Sequence, residues 1–452
     1  MRVHFVAIGG AGMSVIAELM LADGVVVSGS DRQDSAVLQR LARRGATVHV
    51  GHDGAHVAGA DLVVVSSAIP EGNAEVVAAR AAGIEVVHRS VALMRAAAGK
   101  DFVAVAGAHG KTTTSAMLAV ALRELGQDPS FAIGGAVLSL GSGANAGSGP
   151  VFVAEADESD GSFLNYAPQV AVVTNIEPDH LDHYGTAEAF EQAFDAFAER
   201  VVPGGQVITC SDDAGARRFT ERVRARGIAV RTYGTGVDAD VRLTDVQLTP
   251  GAATARLVAA EGEFELDLAV PGTHNLLNAA AAWCAGLALG ADPAEMISAL
   301  AAFTGTARRF ELRGAAAGVR VVDDYAHNPT KVAAAVRTGR GAAGDGRLIV
   351  LFQPHLYSRT AAFAAEFAEA LAGADEVILT AIYPAREEPQ PGVTSALIGD
   401  RLPGAQYVED HREAARAAAA LARDGDLVMT IGAGDVTVLG EVILDLLRER
   451  AG

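Results

Sequence analysis

Short apolar segments alternate with longer alanine-rich segments along most of the chain. Val3–Ile8, Phe102–Ala106 and Leu348–Phe352 are apolar at nearly every position, which is typical of strands buried on both faces of a parallel sheet. Alanine-rich segments such as Ala414–Ala422 lie between such strands and consist of strong helix formers. The alternation predicts an α/β fold in which most strands are followed by a helix.

The predicted strands fall into three blocks, which we take as domains spanning 1–99, 100–308 and 309–452. In chain order, the strands are Val3–Ile8, Val25–Ser28, Thr47–Val50, Leu62–Ser66, Glu85–Val87, Phe102–Ala106, Val151–Glu155, Val170–Ile176, Val319–Asp324, Leu348–Phe352, Glu376–Thr380 and Leu427–Ile431. Alternation of apolar and polar residues from Asp240 to Val270 predicts a small antiparallel patch, and helices are predicted from Ser14, over Thr114–Leu125 and near Leu276–Leu289. We therefore predict three doubly wound α/β domains with mostly parallel sheets, in which ligand-binding loops follow the C-terminal ends of strands.

Composition and charge argue against a nucleic-acid-binding protein and against a membrane protein. The length of 452 residues is enough for roughly three domains, and the net charge of −19 argues against a general nucleic-acid binder. Cys210 and Cys284 are too far apart in sequence to suggest a metal site or a disulfide framework, which fits a reducing compartment. No apolar run approaches the ~18 residues that a membrane helix needs, and glycines interrupt the N-terminal apolar segment. We therefore expect a cytoplasmic protein without membrane insertion.

The segment Gly107-Ala-His-Gly-Lys-Thr-Thr113 lies between a predicted strand and a predicted helix. Glycines let backbone N–H groups surround a phosphate, and the start of a helix adds partial positive charge. Lys111 can reach the β- and γ-phosphates of a nucleotide, and the hydroxyl of Thr112 or Thr113 can bind Mg²⁺. The segment is shorter than the usual P-loop, because Val105 stands where that pattern has its first glycine. As an exposed loop residue, Lys111 should contribute little to the stability of the core.

Two further segments place carboxylates and a histidine at strand ends. Glu155-Ala-Asp-Glu-Ser-Asp160 follows one strand of the central block, and Thr174-Asn-Ile-Glu-Pro-Asp-His180 follows the next. Because C-terminal ends of neighbouring parallel strands share one edge of a sheet, Glu155 should face the crevice of the phosphate loop and can hold Mg²⁺. The strand end that precedes His180 should adjoin the strand end of Glu155. A solvated acidic loop and a structural histidine are the alternatives to a metal site.

Polar residues also follow strands and open a helix in the rest of the chain. Asn275 and Asn278 lie three residues apart at the start of a predicted helix and share a face, although N-capping alone would explain one of them. Arg308-Arg309-Phe310 follows a glycine- and threonine-rich stretch and is interpreted as a hinge. Asp323-Asp324-Tyr-Ala-His-Asn-Pro329 and Gln353-Pro-His-Leu-Tyr-Ser-Arg359 each follow a strand of the last block, and together they indicate a crevice.

At the N-terminus, Gly9-Gly-Ala-Gly12 follows the first strand, and Asp31 ends the second. The arrangement is similar to a dinucleotide fingerprint, but the spacing Gly-x-Gly-x-x-Gly is not satisfied. We interpret this segment as a loop that lets the phosphate of some nucleotide approach the backbone.

Taken in order, these motifs resemble those of the Mur ligases over nearly the whole chain. The shared motifs are Gly-x-x-Gly-Lys-Thr-Thr, Glu-Ala-Asp-Glu-Ser-Asp, Thr-Asn-Ile-Glu-x-Asp-His, His-Asn-x-x-Asn-Ala, Arg-Arg-Phe and Asp-Asp-Tyr-x-His-x-Pro. Within the family, the chain is most similar to the members that join L-alanine to UDP-N-acetylmuramate. The segments that distinguish these members are Gly9–Met13, Ser66–Ile69, Glu158–Asp160 and Phe352–Arg359.

The resemblance implies one ligand for each domain: the UDP part of a substrate, then ATP with Mg²⁺, then the incoming amino acid. It also implies a role for each matching residue. The UDP-sugar would contact Gly9, Gly10, Ala11, Gly12, Asp31, Ser66, Ser67 and Ala68; ATP would contact Gly107, Ala108, His109, Gly110, Lys111, Thr112, Thr113, Asn275, Asn278, Arg309 and Asp324; Mg²⁺ would be held by Thr112, Glu155 and His180; the amino acid would contact His355 and Arg359. The implied catalytic residues are Lys111, Glu155, His180 and Arg309.

The implied reaction is transfer of the γ-phosphoryl group of ATP to the muramyl lactyl carboxylate, followed by attack of the alanine amine on the acyl phosphate. His180, Glu155 or a water molecule would take the proton of the amine. The chain departs from the family at Leu356, where relatives often carry an arginine. Arg359 or Arg386 must then bind the alanine carboxylate.

Three alternatives compete with this interpretation. A ligase of the same family that adds another amino acid or a recycled peptide would share the central motifs. An NAD-dependent oxidoreductase would fit the N-terminal glycines but leaves Lys111 unexplained. A non-catalytic nucleotide-binding module leaves the carboxylates and His180 without a function. We expect no nucleic-acid ligand and no obligate protein partner.

Overall fold

The computed structural model of the chain describes residues 1–178, 180–249, 251–385 and 387–451, and the side chains of all of these except residues 11, 181, 182 and 451. The chain forms two compact units. The first is built from Met1–Val246, Thr254–Leu268 and Thr273–Thr304, and the second from Gln247–Ala253, Ala269–Gly272 and Gly305–Gly452. None of the helices in the described ranges combines the length and apolar composition needed to span a bilayer.

The N-terminal part of the first unit is a five-stranded parallel sheet with helices between the strands. Its elements are β1 (Arg2–Val6), α1 (Ala11–Ala22), β2 (Val26–Asp31), α2 (Ala36–Arg43), β3 (Thr47–Val50), β4 (Leu62–Val65), α3 (Ala74–Ala81), β5 (Glu85–His88) and α4 (Arg89–Ala96). The strand order β3-β2-β1-β4-β5 means that the chain builds outwards from β1 and then returns to its other side. The loops after β1 and β4 therefore flank the point where the strand order reverses, which is where doubly wound sheets bind ligands.

A buried carboxylate holds several elements of this first sheet together. Glu75, in the first turn of α3, is fully buried, and its oxygens accept hydrogen bonds from Ser30 (2.6 Å), His52 (2.9 Å) and His56 (2.8 Å). The Nε2 atom of His4 lies 3.4 Å from the same carboxylate. Burial by itself would raise the pKa of Glu75, but the hydrogen bonds from these side chains outweigh burial and lower it to about 2.

We expect the ionised Glu75 to stabilise the folded chain at neutral pH and to lose this contribution in acid. The pKa is lower in the folded state, about 2, than the ordinary value of 4.5. The contribution is therefore complete above about pH 4.5 and disappears as the pH falls towards 2. Glu75→Gln should lower the thermal unfolding midpoint at neutral pH by several degrees and weaken its dependence on acid pH.

Circular dichroism melts at a series of pH values test this expectation. Glu71→Gln is the matched control, because Glu71 is an exposed carboxylate paired with Arg80 on the surface, and surface pairs contribute little to stability. Identical pH dependence in the wild type and the Glu75→Gln protein would contradict the expectation.

The rest of the first unit is built around a ten-stranded sheet. Its elements are β6 (Asp101–Ala106), α5 (Lys111–Glu124), β7 (Ser130–Val137), β8 (Ser142–Asn145), β9 (Val151–Glu155), β10 (Val170–Val173), α6 (Leu181–Tyr184), α7 (Ala187–Ala198), β11 (Gln206–Cys210), α8 (Ala214–Ala225), β12 (Val230–Gly234), β13 (Val241–Leu248), β14 (Ala253–Ala259), β15 (Gly262–Leu268), α9 (Thr273–Ala288) and α10 (Pro293–Leu300). The strand order is β15-β14-β13-β12-β11-β10-β6-β9-β7-β8. β6 pairs in parallel with β10 on one side and β9 on the other, so the loops after these three strands open on one edge.

The predicted antiparallel patch corresponds to β13, β14 and β15. These neighbouring strands are joined by connections too short for the crossover that parallel strands require. β7 and β8 form a second antiparallel pair, which the sequence did not predict. β7 contains Gly134 and Gly135 in its middle, and glycine weakens the strand pattern that a sequence shows.

The first two sheets share one hydrophobic core. Phe5 and Ile16 of the N-terminal part and Phe102, Phe152 and Phe163 of the central part belong to a single contiguous cluster of buried side chains. Apolar contact between the two parts explains why two predicted domains form one compact unit.

The second unit contains a six-stranded sheet. Its elements are β16 (Glu311–Ala316), β17 (Val319–Asp324), α11 (Pro329–Ala343), β18 (Leu348–Phe352), α12 (Tyr357–Ala362), α13 (Ala364–Leu371), β19 (Glu376–Leu379), α14 (Ala396–Gly399), β20 (Gln406–Tyr407), α15 (His411–Leu421), β21 (Leu427–Ile431) and α16 (Leu439–Ala451). The order is β16-β17-β21-β18-β19-β20, and β16 is antiparallel to β17 while the other pairs are parallel. β21 lies between β17 and β18, so the loops after β17 and β18 flank it.

Both faces of β18 are buried. Leu348, Val350 and Phe352 pack into the core on one side of the sheet, and Ile349 and Leu351 into the core on the other. This two-sided burial is the reason for the uninterrupted apolar run.

The predicted fold class of three α/β domains with mostly parallel sheets is confirmed. Several strands match the predicted bounds, among them β3, β9 and β17. The strand predicted over Val170–Ile176 ends earlier, at Val173, because Thr174 and Asn175 leave the sheet and bind the phosphate loop. The helix predicted from Ser14 begins at Ala11, directly after the glycines.

Candidate active site

The predicted phosphate loop connects β6 to the N-terminus of α5. Gly107 and Gly110 have φ angles of 130° and 82°, which side chains other than glycine rarely adopt. A Cβ atom on Gly107 would overlap the hydroxyl of Thr174, and one on Gly110 would lie 2.6 Å from Oδ1 of Asn278. The N-cap residue of α5 is Gly110, which has no side chain to cap the first turn, and uncapped N–H groups at a helix start favour an anion. The loop can thus take this conformation and pack against Thr174 and Asn278 only because it carries glycine at these positions.

The residues that follow β10 clamp the middle of the loop. The backbone N–H of His109 donates to Oδ1 of Asn175 (2.9 Å), and its carbonyl accepts from the Thr174 hydroxyl (2.5 Å) and the Asn175 amide (3.0 Å). Nε2 of the His109 imidazole lies 3.2 Å from the Glu177 carboxylate. Nδ1 of His109 is buried without a hydrogen-bond partner among the described residues, which is the state expected of a group that meets a ligand.

Lys111 is held by a buried carboxylate that the sequence analysis did not assign. Its Nζ atom donates to the carbonyl of Gly107 (2.5 Å) and to both oxygens of Glu158 (2.7 and 2.8 Å). The Glu158 side chain is only 2% exposed. The expectation that Lys111 is an exposed loop residue is therefore wrong, because its side chain is only 18% exposed and is paired with Glu158. Removing the lysine would leave Glu158 buried without its counter-ion.

The opening of α9 lies against the phosphate loop. Oδ1 of Asn278 accepts from the Thr114 hydroxyl of α5 (3.2 Å). Asn275 and Asn278 are both buried on this helix. The structure therefore brings Asn278 to the predicted nucleotide site, while the nucleotide contact of Asn275 remains a prediction.

The three residues predicted to hold Mg²⁺ lie at the same edge of the second sheet. Glu155 ends β9 and pairs with Val105 of β6, and its Oε1 accepts from the N–H of Gly134 (2.6 Å). Thr112 is buried in the first turn of α5. His180 follows β10 with a left-handed backbone (φ 53°), and its carbonyl accepts from the two N–H groups that close the α6 turn.

The oxygen donors of this set suit a magnesium ion. No group of three or more His, Cys, Asp and Glu side chains in the described ranges is arranged to hold a metal. Mg²⁺ usually takes one or two protein oxygens and completes its shell with phosphate and water. The hydroxyl of Thr112 and the carboxylate of Glu155 are hard oxygen donors beside a phosphate loop, so the residues present are compatible with it.

Gly9, the first glycine after β1, contacts Asp31. The N–H of Gly9 donates to Oδ2 of Asp31 (3.0 Å), and a Cβ atom on Gly9 would lie 2.8 Å from the same oxygen. Gly10 precedes α1, which no side chain caps. The side chain of Ala11 lies outside the described part of the chain. The N-terminal loop and Asp31 are therefore one assembly, in which the aspartate holds the loop.

Three contacts join this first sheet to the Glu155–Asp160 segment of the second. In one of them, Nε2 of His88 lies 3.6 Å from Oδ2 of Asp160. Arg89 lies against Gly12 and donates to Asp157 (2.6 Å). Ser67, in the loop after β4, donates to the carboxylate of Asp160. The predicted UDP-sugar loops and the predicted magnesium segment therefore meet directly, and Arg89 is a residue that the sequence analysis missed. Ser66 and Ala68 lie in the same turn, and their contacts with the UDP-sugar remain predictions.

The second unit places the Arg308–Arg309 pair around one aromatic ring. The guanidinium carbons of Arg308 and Arg309 lie 4.7 and 5.1 Å from the centre of the Tyr325 ring. Arg308 also donates to the carbonyls of Gly432 (2.6 Å) and Gly434 (3.0 Å), so its function is structural. The charge of Arg309 acts on the nearby carboxylate of Asp324.

Asp324 ends β17 and holds the backbone around it. Its carboxylate accepts from the N–H groups of Phe310 (2.9 Å) and Ala326 (2.8 Å). Burial raises the pKa of Asp324, while the charge of Arg309 opposes the rise. The hinge interpretation of 308–310 and the nucleotide contacts of Arg309 and Asp324 remain predictions.

The two residues predicted to bind the amino acid lie together. Nη1 of Arg359 is 3.4 Å from Nδ1 of His355 and 3.4 Å from the carbonyl of His327. Burial lowers the pKa of His327 to about 3, and the charges of Lys331 and Arg359 add to the effect, so this imidazole is neutral. His327 belongs to the motif that follows β17, but no function was predicted for it from the sequence.

Leu356, where relatives often carry an arginine, lies directly before α12. Leu356 has a left-handed backbone (φ 72°), is buried, and precedes α12. Arg359 is a cation within the described part of the chain that contacts His355. Arg386, the other candidate for the carboxylate of the amino acid, lies outside the described residues.

Comparison with known proteins supports the family resemblance along the whole chain. Three family models match in succession: the Mur ligase family, catalytic domain, over residues 2–101; the Mur ligase middle domain over 105–286; and the Mur ligase, glutamate ligase domain, over 308–434. A curated relative from Kineococcus radiotolerans, named UDP-N-acetylmuramate–L-alanine ligase, is 56% identical over 458 residues, which cover 99% of this chain and 97% of the relative.

Solved structures agree with this comparison. The UDP-N-acetylmuramate-alanine ligase of Thermotoga maritima is 28% identical, with a TM-score of 0.83 over 100% of this chain and 99% of its own. A murein peptide ligase from Psychrobacter arcticus has the same fold, with a TM-score of 0.72 at 24% identity over 99% of both chains. Because the family models follow the order of the three sheets and a close relative aligns over nearly the full length, the chain belongs to the Mur ligase family.

Proposed function

We propose that this chain uses ATP to join L-alanine to the lactyl carboxylate of UDP-N-acetylmuramate, giving UDP-N-acetylmuramoyl-L-alanine, ADP and phosphate. The observation that carries the proposal is the 56% identity, over nearly the whole chain, to a relative named for this ligation. The glycine loop with Lys111 supports the use of ATP. The reaction is a step of peptidoglycan synthesis, and its dependence on ATP is our reason for proposing a cytoplasmic location.

We further propose that each sheet binds one ligand, with domain boundaries near residues 99 and 308. The loops after β1 and β4, including Gly9–Gly12, Asp31 and Ser66–Ala68, would bind the UDP-sugar. The phosphate loop, Asn275 and Asn278 would bind ATP. His355 and Arg359 would bind the carboxylate of alanine, with the neutral His327 beside them.

The first chemical step is limited by charge. The lactyl carboxylate and the γ-phosphate are both anionic, so they repel each other as they approach. Lys111, at the start of α5, and Arg309, whose guanidinium lies over the Tyr325 ring, are the cations we propose to offset this repulsion. Mg²⁺ held by Thr112, Glu155 and His180 would supply further positive charge when it is bound.

The second step is attack by the alanine amine on the acyl phosphate. The amine must be neutral to attack, so a base must accept its proton. We propose Glu155 or His180, directly or through water, because both follow strands at the edge that carries the phosphate loop.

Turnover of the purified chain tests this proposal. We expect ADP formation to require UDP-N-acetylmuramate and L-alanine together, with ADP and phosphate as the nucleotide products. L-alanine should be preferred over glycine and serine by only about 5- to 150-fold, because one small contact in a pocket discriminates by ~1–3 kcal/mol. Product masses after competition between amino acids give the preference.

Other results would assign the chain differently. Preference for glutamate or a diamino acid would make it another amino-acid ligase of the family. Preference for a murein peptide would make it a murein peptide ligase, which is the name of the Psychrobacter arcticus structure. Formation of AMP and pyrophosphate would contradict the acyl-phosphate scheme.

A further inference from the structure

The ammonium group of Lys111 has no donor left for a phosphate in this structure. Its three hydrogen bonds go to the carbonyl of Gly107 and to the two carboxylate oxygens of Glu158. A lysine ammonium has three N–H donors, and these bonds use all of them. A nucleotide can therefore bind Lys111 only if at least one of these bonds is exchanged for a phosphate oxygen.

Glu158 is fixed in position by its surroundings. It lies three residues after the end of β9, and its carbonyl accepts from the hydroxyl of Tyr184 in α6 (2.5 Å). The neighbouring carboxylates of Asp157 and Asp160 are directed to Arg89 and Ser67 instead. Glu158 is thus the carboxylate of this segment that contacts Lys111.

The charge of Glu158 has two opposite effects on a nucleotide site. Because its side chain is almost fully buried, water screens it poorly, and its attraction for Lys111 is strong. The same negative charge repels a triphosphate in the neighbouring loop. The contact should therefore hold Lys111 in place and also oppose nucleotide binding.

We propose that Glu158 is a positioning residue for Lys111: it holds the ammonium at the phosphate loop before ATP binds and shares it with phosphate afterwards. The inference rests on the nucleotide site proposed above. It requires Glu158 to weaken the affinity for nucleotide and, at the same time, to raise the rate of turnover, because Lys111 is already oriented when the phosphoryl group moves.

Glu158→Gln tests this inference, since it keeps the size of the side chain and removes its charge. Binding of β,γ-methylene-ATP with Mg²⁺ is measured by titration calorimetry, and kcat and KM for ATP by steady-state kinetics. We expect the dissociation constant to fall about three- to tenfold, kcat to fall about tenfold or more, and KM for ATP to decrease with the dissociation constant. A purely structural function would instead raise KM and lower kcat together.

Two variants serve as controls. Asp160→Asn removes a carboxylate of the same segment that does not contact Lys111 and should leave affinity for the analogue within about twofold. Glu158→Asp keeps the charge on a shorter side chain, so it should bind the analogue about as weakly as the wild type and recover part of kcat. Thermal melts establish that each variant is folded, and Glu158→Asp decides the question if Glu158→Gln does not fold.

The outcomes separate this inference from the proposed function. Failure of the wild type to bind the analogue would contradict the nucleotide site itself. Binding by the wild type, with equal or weaker affinity in Glu158→Gln or with kcat unchanged, would overturn only the inference about Glu158.

Discussion

Replacing Lys111 with alanine should reduce turnover by about a thousandfold or more, because the variant lacks the cation that meets the transferred phosphoryl group. The same change should lower the free energy of unfolding by about 3 kcal/mol, since Glu158 is left buried without a counter-ion. Both effects follow from the bonds between Lys111 and Glu158. Steady-state ADP formation and denaturant unfolding measure them separately.

The double variant Lys111→Ala with Glu158→Gln distinguishes the two effects. Removing both charges should restore most of the lost stability, because no unpaired charge remains, while turnover should stay at the level of Lys111→Ala. Near-normal turnover in either variant would contradict the assignment of the phosphate loop.

Replacing Gly107 with alanine should reduce turnover by about a hundredfold and nucleotide affinity by at least about tenfold. The φ angle of 130° is one that alanine rarely adopts, and the added Cβ would overlap the hydroxyl of Thr174. That hydroxyl holds the carbonyl of His109, so the overlap would displace the middle of the loop. Binding of β,γ-methylene-ATP and steady-state turnover are the measurements.

Gly126→Ala is the matched control for this change. Gly126 also has a positive φ angle, 73°, but a Cβ atom there would meet nothing within 4 Å. Both substitutions carry a backbone penalty of about 1–3 kcal/mol, and only the one at Gly107 adds a clash at the loop. An equal loss of turnover in the two variants would show that general destabilisation, and not the shape of the loop, is responsible.

Local signals in the sequence predicted much of the candidate site. The phosphate loop is a contiguous segment whose function depends on a glycine turn at the start of a helix, so seven adjacent residues contain most of the information. Asn275 and Asn278 are related by the turn of one helix, and their shared face follows from their spacing. Asp31 was found because it ends the strand next to the first one.

Contacts between distant segments were not visible in the sequence. Glu158 meets Lys111 only because β9 lies next to β6, although the chain reaches β9 after passing through β7 and β8. Asn175 reaches His109 for the same reason on the other side of β6. Buried polar pairs of this kind leave no periodic pattern in the sequence. A motif can therefore contain one residue of a pair without indicating which residue it contacts. The contacts of Arg89 were also not predicted, since its partners Gly12 and Asp157 lie in two other segments of the chain.

The sequence by itself determined the class of fold, the position of the phosphate loop and the family, because apolar periodicity and glycine turns act over a few neighbouring residues. Only the tertiary structure decided that the first two sheets share a core and that Lys111 is paired with Glu158. These features depend on strand order and on burial, which arise when segments far apart in the chain pack together and exclude water. A lysine in a loop can be a free surface charge or half of a buried ion pair, and its neighbours in space settle which it is.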